Sequence, residues 1–216
     1  MVQVDRVDFA ELTPALVPYI AQAAYVQLAL FETLSRAVTL SPSAASKVAV
    51  SRVAALSLAK HHGLAAEIKR LGHEPGPTMA PFAARIDEYA RTTLGADWYE
   101  MLVTAYLTAG LLGDFQLRLA AGLPGDSGAR IIPLLSSDDG HAFLVDELRS
   151  AIDANPRLAS RLAMWGRRLV GDTLLLARSS LANVGHTQND EARLEPVFTE
   201  LIAAHTRRMD ALGLTA

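Results

Sequence analysis

Through most of this chain apolar residues return at intervals of three and four, a spacing that gathers them on one face of an α-helix and does not suit a strand. Ile20, Ala24, Phe31 and Leu34 form one such stripe, and Val50, Val53, Leu64 and Leu71 a second. Val103, Leu107, Leu117 and Ala121 form a third, and Ile131, Leu134, Val145, Leu148 and Ile152 a fourth. Helices striped in this way bury their apolar faces against one another, so the chain is predicted to be an all-α bundle. Every stripe is interrupted by polar residues: Gln27 in the first, Ser57 and Lys60 in the second, Asp114 in the third, Asp138 and His141 in the fourth. Residues three and four apart share a helix face, so all six side chains are expected to point into the centre of the bundle.

The punctuation between stripes sets the expected helices. The first spans about 13–38. Ser41 as N-cap and Pro42 at the first helical position open a second, about 42–71, with Gly72 as its stop. His73-Glu74-Pro75-Gly76-Pro77 then breaks the chain, and Pro81 follows closely. The third long helix is expected at about 97–121. A link of roughly twenty residues exceeds the ~2–8 that join antiparallel neighbours, so it reads as a crossover that lets the second and third helices run parallel. Phe82, Ile86 and Tyr89 suggest a short helix inside it, at 81–94. The fourth helix is expected to run unbroken from about 127 to 154, with Pro133 near its start or kinking it. A fifth, about 156–182, a polar loop at 183–190 and a last helix, about 191–212 and packed through Leu194, Phe198, Leu201 and Met209, complete the chain. The 216 residues suffice for one well-buried domain, with a core bundle at about 13–154 and C-terminal helices at about 156–212.

Composition narrows the function classes. A formal charge of −3 gives no general footprint for nucleic-acid binding, and the absence of cysteine removes thiolate ligands, disulfides and a cysteine nucleophile. Acids are mixed into residues 1–12, where a secretory signal would be apolar, and no apolar run approaches the ~20 residues of a membrane span. A cytoplasmic location without membrane contact is the expectation. The two arginine pairs, Arg167-Arg168 and Arg207-Arg208, are expected on solvated helix faces, with phosphate contact as the alternative. Gly110, Gly113, Gly140 and Gly166 fall within helical stretches and mark close packing or a channel. His61 and His62 point about 100° apart on a helix, so at most one of them faces any central site.

Residues 54–63 and 136–145, Pro156-Arg157-Leu158, the run from Trp165 to Gly171, and His205-Thr206-Arg207-Arg208-Met209 carry a further signal. Across these segments the chain resembles the actinobacterial ferritin-like proteins that are similar to the non-haem di-iron tRNA hydroxylase acting on 2-methylthio-isopentenyl-adenosine. The resemblance implies a ferritin-like four-helix bundle with a crossover between helices 2 and 3 and two extra C-terminal helices. It also implies a two-iron site, O2-dependent hydroxylation and a tRNA partner. In that architecture one Glu comes from each of two helices and a Glu-x-x-His from each of the other two. At the matching positions this chain has Gln27, Ser57 with Lys60, Asp114, and Asp138 with His141.

Of the six histidines only His141 has an acid three residues before it, and no acid occurs between Leu40 and Ala66. Two readings remain. In one the two-metal site is lost, no cofactor binds, and Lys60 stands as counter-ion to Asp114 and Asp138 in a buried network; the protein is then non-catalytic or a binding protein. In the other, Asp114, Asp138 and His141 hold a single iron or manganese for O2-dependent hydroxylation, with modified tRNA as the substrate implied by the resemblance. A nucleophilic Lys60 is a third use of the same residue. Partners are not specified by sequence: tRNA enters through the resemblance alone, and a homodimer is the other candidate.

Overall fold

The structure, a computed structural model, describes residues 12–138, 140–181 and 191–215, with the side chains of 191–194 excepted. The acid-rich start of the chain, Asp139, the expected loop at 183–190 and the Leu194 contact lie outside these residues. Among the described residues the chain forms eight α-helices and no strand. They are α1 (Leu16–Leu40), α2 (Ala44–Arg70), α3 (Pro75–Thr92), α4 (Trp98–Ala120), α5 (Ser127–Leu135), α6 (His141–Ala154), α7 (Pro156–Leu181) and α8 (Glu191–Ala211). None is long and apolar enough to cross a membrane.

Three boundaries differ from the sequence expectation, each for a local reason. Ser43, not Ser41, caps α2: its Oγ accepts from the Ser46 N–H at 3.0 Å, so the helix starts after the Ser-Pro-Ser turn. The crossover holds a full helix, α3, from Pro75 rather than a short one from residue 81. Pro75 and Pro77 fall in the first turn, where the missing N–H needs no partner, and the exposed Pro81 leaves its unpaired carbonyl neighbour to water. The expected fourth helix is two helices, α5 and α6, interrupted at 136–140. Gly140 has φ +70°, a conformation that favours glycine, and acts as N-cap of α6. An added Cβ would also meet Val53 Cγ2 of α2 at 2.8 Å, so the break is a close approach to α2.

Packing gives the four-helix core. α1 lies against α2 and α4, and the α5–α6 pair closes the ring by touching both α2 and α4. α2 and α4 therefore sit on a diagonal, with α3 bridging outside against α1 and α7. α7 and α8 cover α4 from the far side. Tyr89 of α3 fastens the bridge, its hydroxyl lying 2.6 Å from Thr108 Oγ1 of α4 and 2.7 Å from Thr173 Oγ1 of α7. Desolvation of its phenol raises the Tyr89 pKa above the ordinary value, against the opposing effect of these hydrogen bonds.

The apolar interior is divided. One cluster includes Ile20, Leu30, Leu64, Ile68, Leu111, Ile131 and Leu201; the other includes Leu34, Val50, Val53, Leu107, Leu148, Leu162 and Met209. Along α2 the two are separated by Ser57 and Lys60, along the α5–α6 pair by the break at 136–140, and along α8 by His205 and Arg208. A polar layer thus crosses the bundle at mid-height.

A polar cavity at the centre of the bundle

The polar layer encloses a cavity of about 210 Å³ lined by Gln27 from α1, Ser57 and Lys60 from α2, Gly110, Gly113 and Asp114 from α4, Ser136, Ser137 and His141 at the α5–α6 break, and Arg208 from α8. Five of the six side chains singled out by helical spacing therefore meet in one place. The sixth, Asp138, does not line it.

Asp138 is exposed, and its Oδ1 accepts from the backbone N–H of Gly140 at 2.9 Å. Helical spacing placed it on the inner face only on the premise of a continuous helix. Once the chain breaks, the carboxylate serves its own turn, as Asx residues do. His141, at the first position of α6, stays on the cavity wall, its ring set edge-on to Tyr106 with centroids 5.0 Å apart.

Lys60 is buried at 8% exposure, and its Nζ donates to the Leu135 carbonyl at 3.0 Å. That carbonyl is at the last residue of α5, where the helix terminus leaves acceptors without intrahelical donors and favours positive charge. Gln27, 7% exposed, lines the cavity with no side-chain hydrogen bond to a described residue. Ser136 and Ser137 turn their hydroxyls back to the carbonyls of Ile132 and Leu134. Neither His61 nor His62 reaches the cavity: His61 Nδ1 lies 2.9 Å from the Ala24 carbonyl, and His62 is exposed.

Arg208 was expected on a solvated face and instead enters the site. Its Nη2 donates to Asp114 Oδ2 at 2.9 Å, while Nη1 is buried without an acceptor. The guanidinium lies directly on α4 at Gly110, where any Cβ would overlap its Nε and Cδ. Gly166 does the same for Met209. Gly113, one turn along from Gly110, has nothing within 4 Å of a notional Cβ and opens onto the cavity. One signal in the sequence pointed to Arg208: it stands seven residues, two helical turns, after the buried Leu201. Arg207, its neighbour, is exposed.

Beneath Arg208, His205 is 3% exposed. Burial, and after it the Arg208 charge, push its pKa below the ordinary range, while the Gly166 carbonyl acts in the opposite sense.

Whether these residues suit the two-metal centre of ferritin-like enzymes turns on donor chemistry. Two divalent ions need several anionic or neutral lone-pair donors facing one point. Here, among the described residues, no group of three or more His, Asp or Glu side chains converges in that way. The cavity wall instead carries two cationic side chains, and Asp114 is already engaged by one of them. The described donor set does not fit a metal pair.

No curated protein matches the chain. Residues 11–188, most of its length and all of the four-helix core, match the family described as ferritin-like domain of actinomycetes. The all-helical element order agrees with that assignment, and the chain belongs to this family of ferritin-like domains.

Proposed function

We propose that this chain is a ferritin-like relative of the di-iron tRNA hydroxylases whose two-metal site is lost, and that it works as a non-catalytic binding protein. The observation that carries the reading is the Arg208–Asp114 ion pair inside the central cavity. A guanidinium held on the one helix-α4 carboxylate of the site occupies the donor a metal would require, and Lys60 adds a second positive charge to the same wall. Gln27 and Ser57 stand where the ferritin-like pattern has carboxylates, and neither brings the negative charge that offsets divalent ions.

The single-iron alternative is less well supported. Asp114 and His141 line the cavity, but Asp138, its third ligand, is exposed and bonded to its own turn. The test is elemental mass spectrometry on protein purified without chelators or a histidine tag, before and after anaerobic incubation with ferrous iron. Clearly sub-stoichiometric metal in both samples is the expected result. One equivalent or more of iron or manganese per chain, lost in Asp114→Ala, would overturn the proposal.

A further inference from the structure

Helix α8 packs chiefly on α4 and α7, and the Arg208–Asp114 pair fixes it to α4 at the wall of the central cavity. His205 stands one turn before Arg208 on the same side of the helix and is enclosed at 3% exposure. Its Nε2 is buried with no acceptor, and so is Nη1 of Arg208. A neutral ring tolerates that position, since one of its nitrogens is bare and has no hydrogen to donate. A protonated ring does not: it carries a second N–H without an acceptor and a positive charge one turn from a guanidinium. Room for local adjustment is small, because Arg208 rests on the α4 backbone at Gly110 and the next residue, Met209, is pressed against Gly166 of α7.

The surrounding charges are committed elsewhere. On α4, Asp114 is taken by Arg208, and Arg118 by Glu200 of α8. On α7, the Gly166 carbonyl acts on the ring, Arg167 donates to the Thr215 carbonyl, and Asp172 lies 3.9 Å from Arg168. Arg207 and Asp210 of α8 are exposed. Among the described residues Arg208 is therefore the charge that acts on His205. We infer that His205 and Arg208 form a proton-sensitive latch: a proton taken up by the imidazole parts Arg208 from Asp114, releases α8 from α4 and opens the cavity on that side. The inference goes beyond the binding reading above and does not rest on it, since the latch gives the cavity a condition for access whatever occupies it.

The experiment is hydrogen exchange read by mass spectrometry on the full chain at pH 7.5 and 5.5, with labelling times scaled to the intrinsic exchange rates. Carbodiimide labelling of Asp114, measured against the exposed Asp153, is run beside it. One group that titrates near 6.5 once released raises an opening equilibrium by at most about tenfold across that interval. Protection of α8 is therefore expected to fall about three- to tenfold at pH 5.5, and the Asp114 label to rise by a similar factor, while α1 and α2 keep their protection. His205→Gln should hold both readouts level between the two pH values. Arg208→Met should leave α8 weakly protected at both, without a step, and is the deciding variant if circular dichroism shows His205→Gln unfolded. Absence of either change in the parent chain, a pH step that persists in the folded variants, or a parallel loss of protection in α1 and α2 overturns the inference.

Discussion

Arg208 reaches Asp114 across the bare backbone of Gly110, its Nη2 2.9 Å from the carboxylate. The two residues are 94 positions apart, and their pairing locks α8 onto α4 at the level of the cavity. At side-chain exposures of 18% and 32% the pair is only partly screened. A double-mutant cycle with Asp114→Asn and Arg208→Met, followed by urea denaturation, should return a coupling of about 0.5–2 kcal/mol. The coupling should shrink in high salt, because the carboxylate remains in contact with solvent. A coupling indistinguishable from zero at low salt would mean that α8 is held by its apolar residues alone.

The two glycines of α4 should respond oppositely to the same change. Gly110→Ala places a methyl group inside the Arg208 side chain, so the guanidinium must move or α8 must shift; a loss of about 1–3 kcal/mol is expected. Gly113→Ala meets nothing within 4 Å and removes the entropic cost of a helical glycine, so a gain of about 0.5–1 kcal/mol is expected. Chemical denaturation of the two variants side by side checks this. Equal effects would show that Arg208 does not rest on α4.

How far the sequence reveals this site depends on what helical periodicity can carry. Gln27, Ser57, Lys60 and Asp114 were legible because each lies in the interior of an unbroken helix, where spacing fixes the face. His141 reached the wall although the argument that placed it there assumed a helix that does not exist. Asp138 failed for that same reason: a helical wheel cannot anticipate a turn that re-aims the side chain. The run Ser136-Ser137-Asp138-Asp139-Gly140 carries the composition of a turn, and its position within an apolar stripe masked it. Arg208 was hidden because paired arginines suggest solvent, whereas α8 exposes Arg207 and buries most of Arg208. The four-helix core with its crossover followed from stripe count and link length, and the helix inside the crossover from Phe82, Ile86 and Tyr89; the first turns of α3 did not, since their prolines look like breakers until their place in the first turn is known.

The turn residues give a second contrast. Asp138→Ala removes an exposed hydrogen bond to the Gly140 N–H and should cost no more than about 1 kcal/mol, leaving Lys60 where it is. Gly140→Ala forces a β-carbon into the left-handed region and against Val53, so a loss of about 1–3 kcal/mol is expected. Thermal unfolding by circular dichroism distinguishes them. A severe loss in Asp138→Ala would instead place its carboxylate among the buried charges.

His205 makes stability depend on pH in a defined window. Burial and the nearby Arg208 hold its folded pKa below the ordinary 6.5, so the native protein keeps the imidazole neutral while the unfolded chain takes up a proton. The unfolded state therefore binds more protons between the folded value and about 6.5, and stability rises with pH across that interval. The contribution is complete above about 6.5 and is lost as pH falls toward the folded value. Glu67 acts lower on the scale. Burial would raise its pKa, but hydrogen bonds from Arg70 and Arg130 outweigh that and hold it below 4.5, so its contribution is lost only in stronger acid. His205→Gln removes the titrating ring while keeping a polar side chain of similar size. Melting temperatures measured at constant ionic strength from about pH 7.5 to 5.5 should fall for the parent protein and stay nearly level for the variant. Parallel curves would show that His205 is not the group that responds, and that the buried ring takes up its proton without cost to the fold.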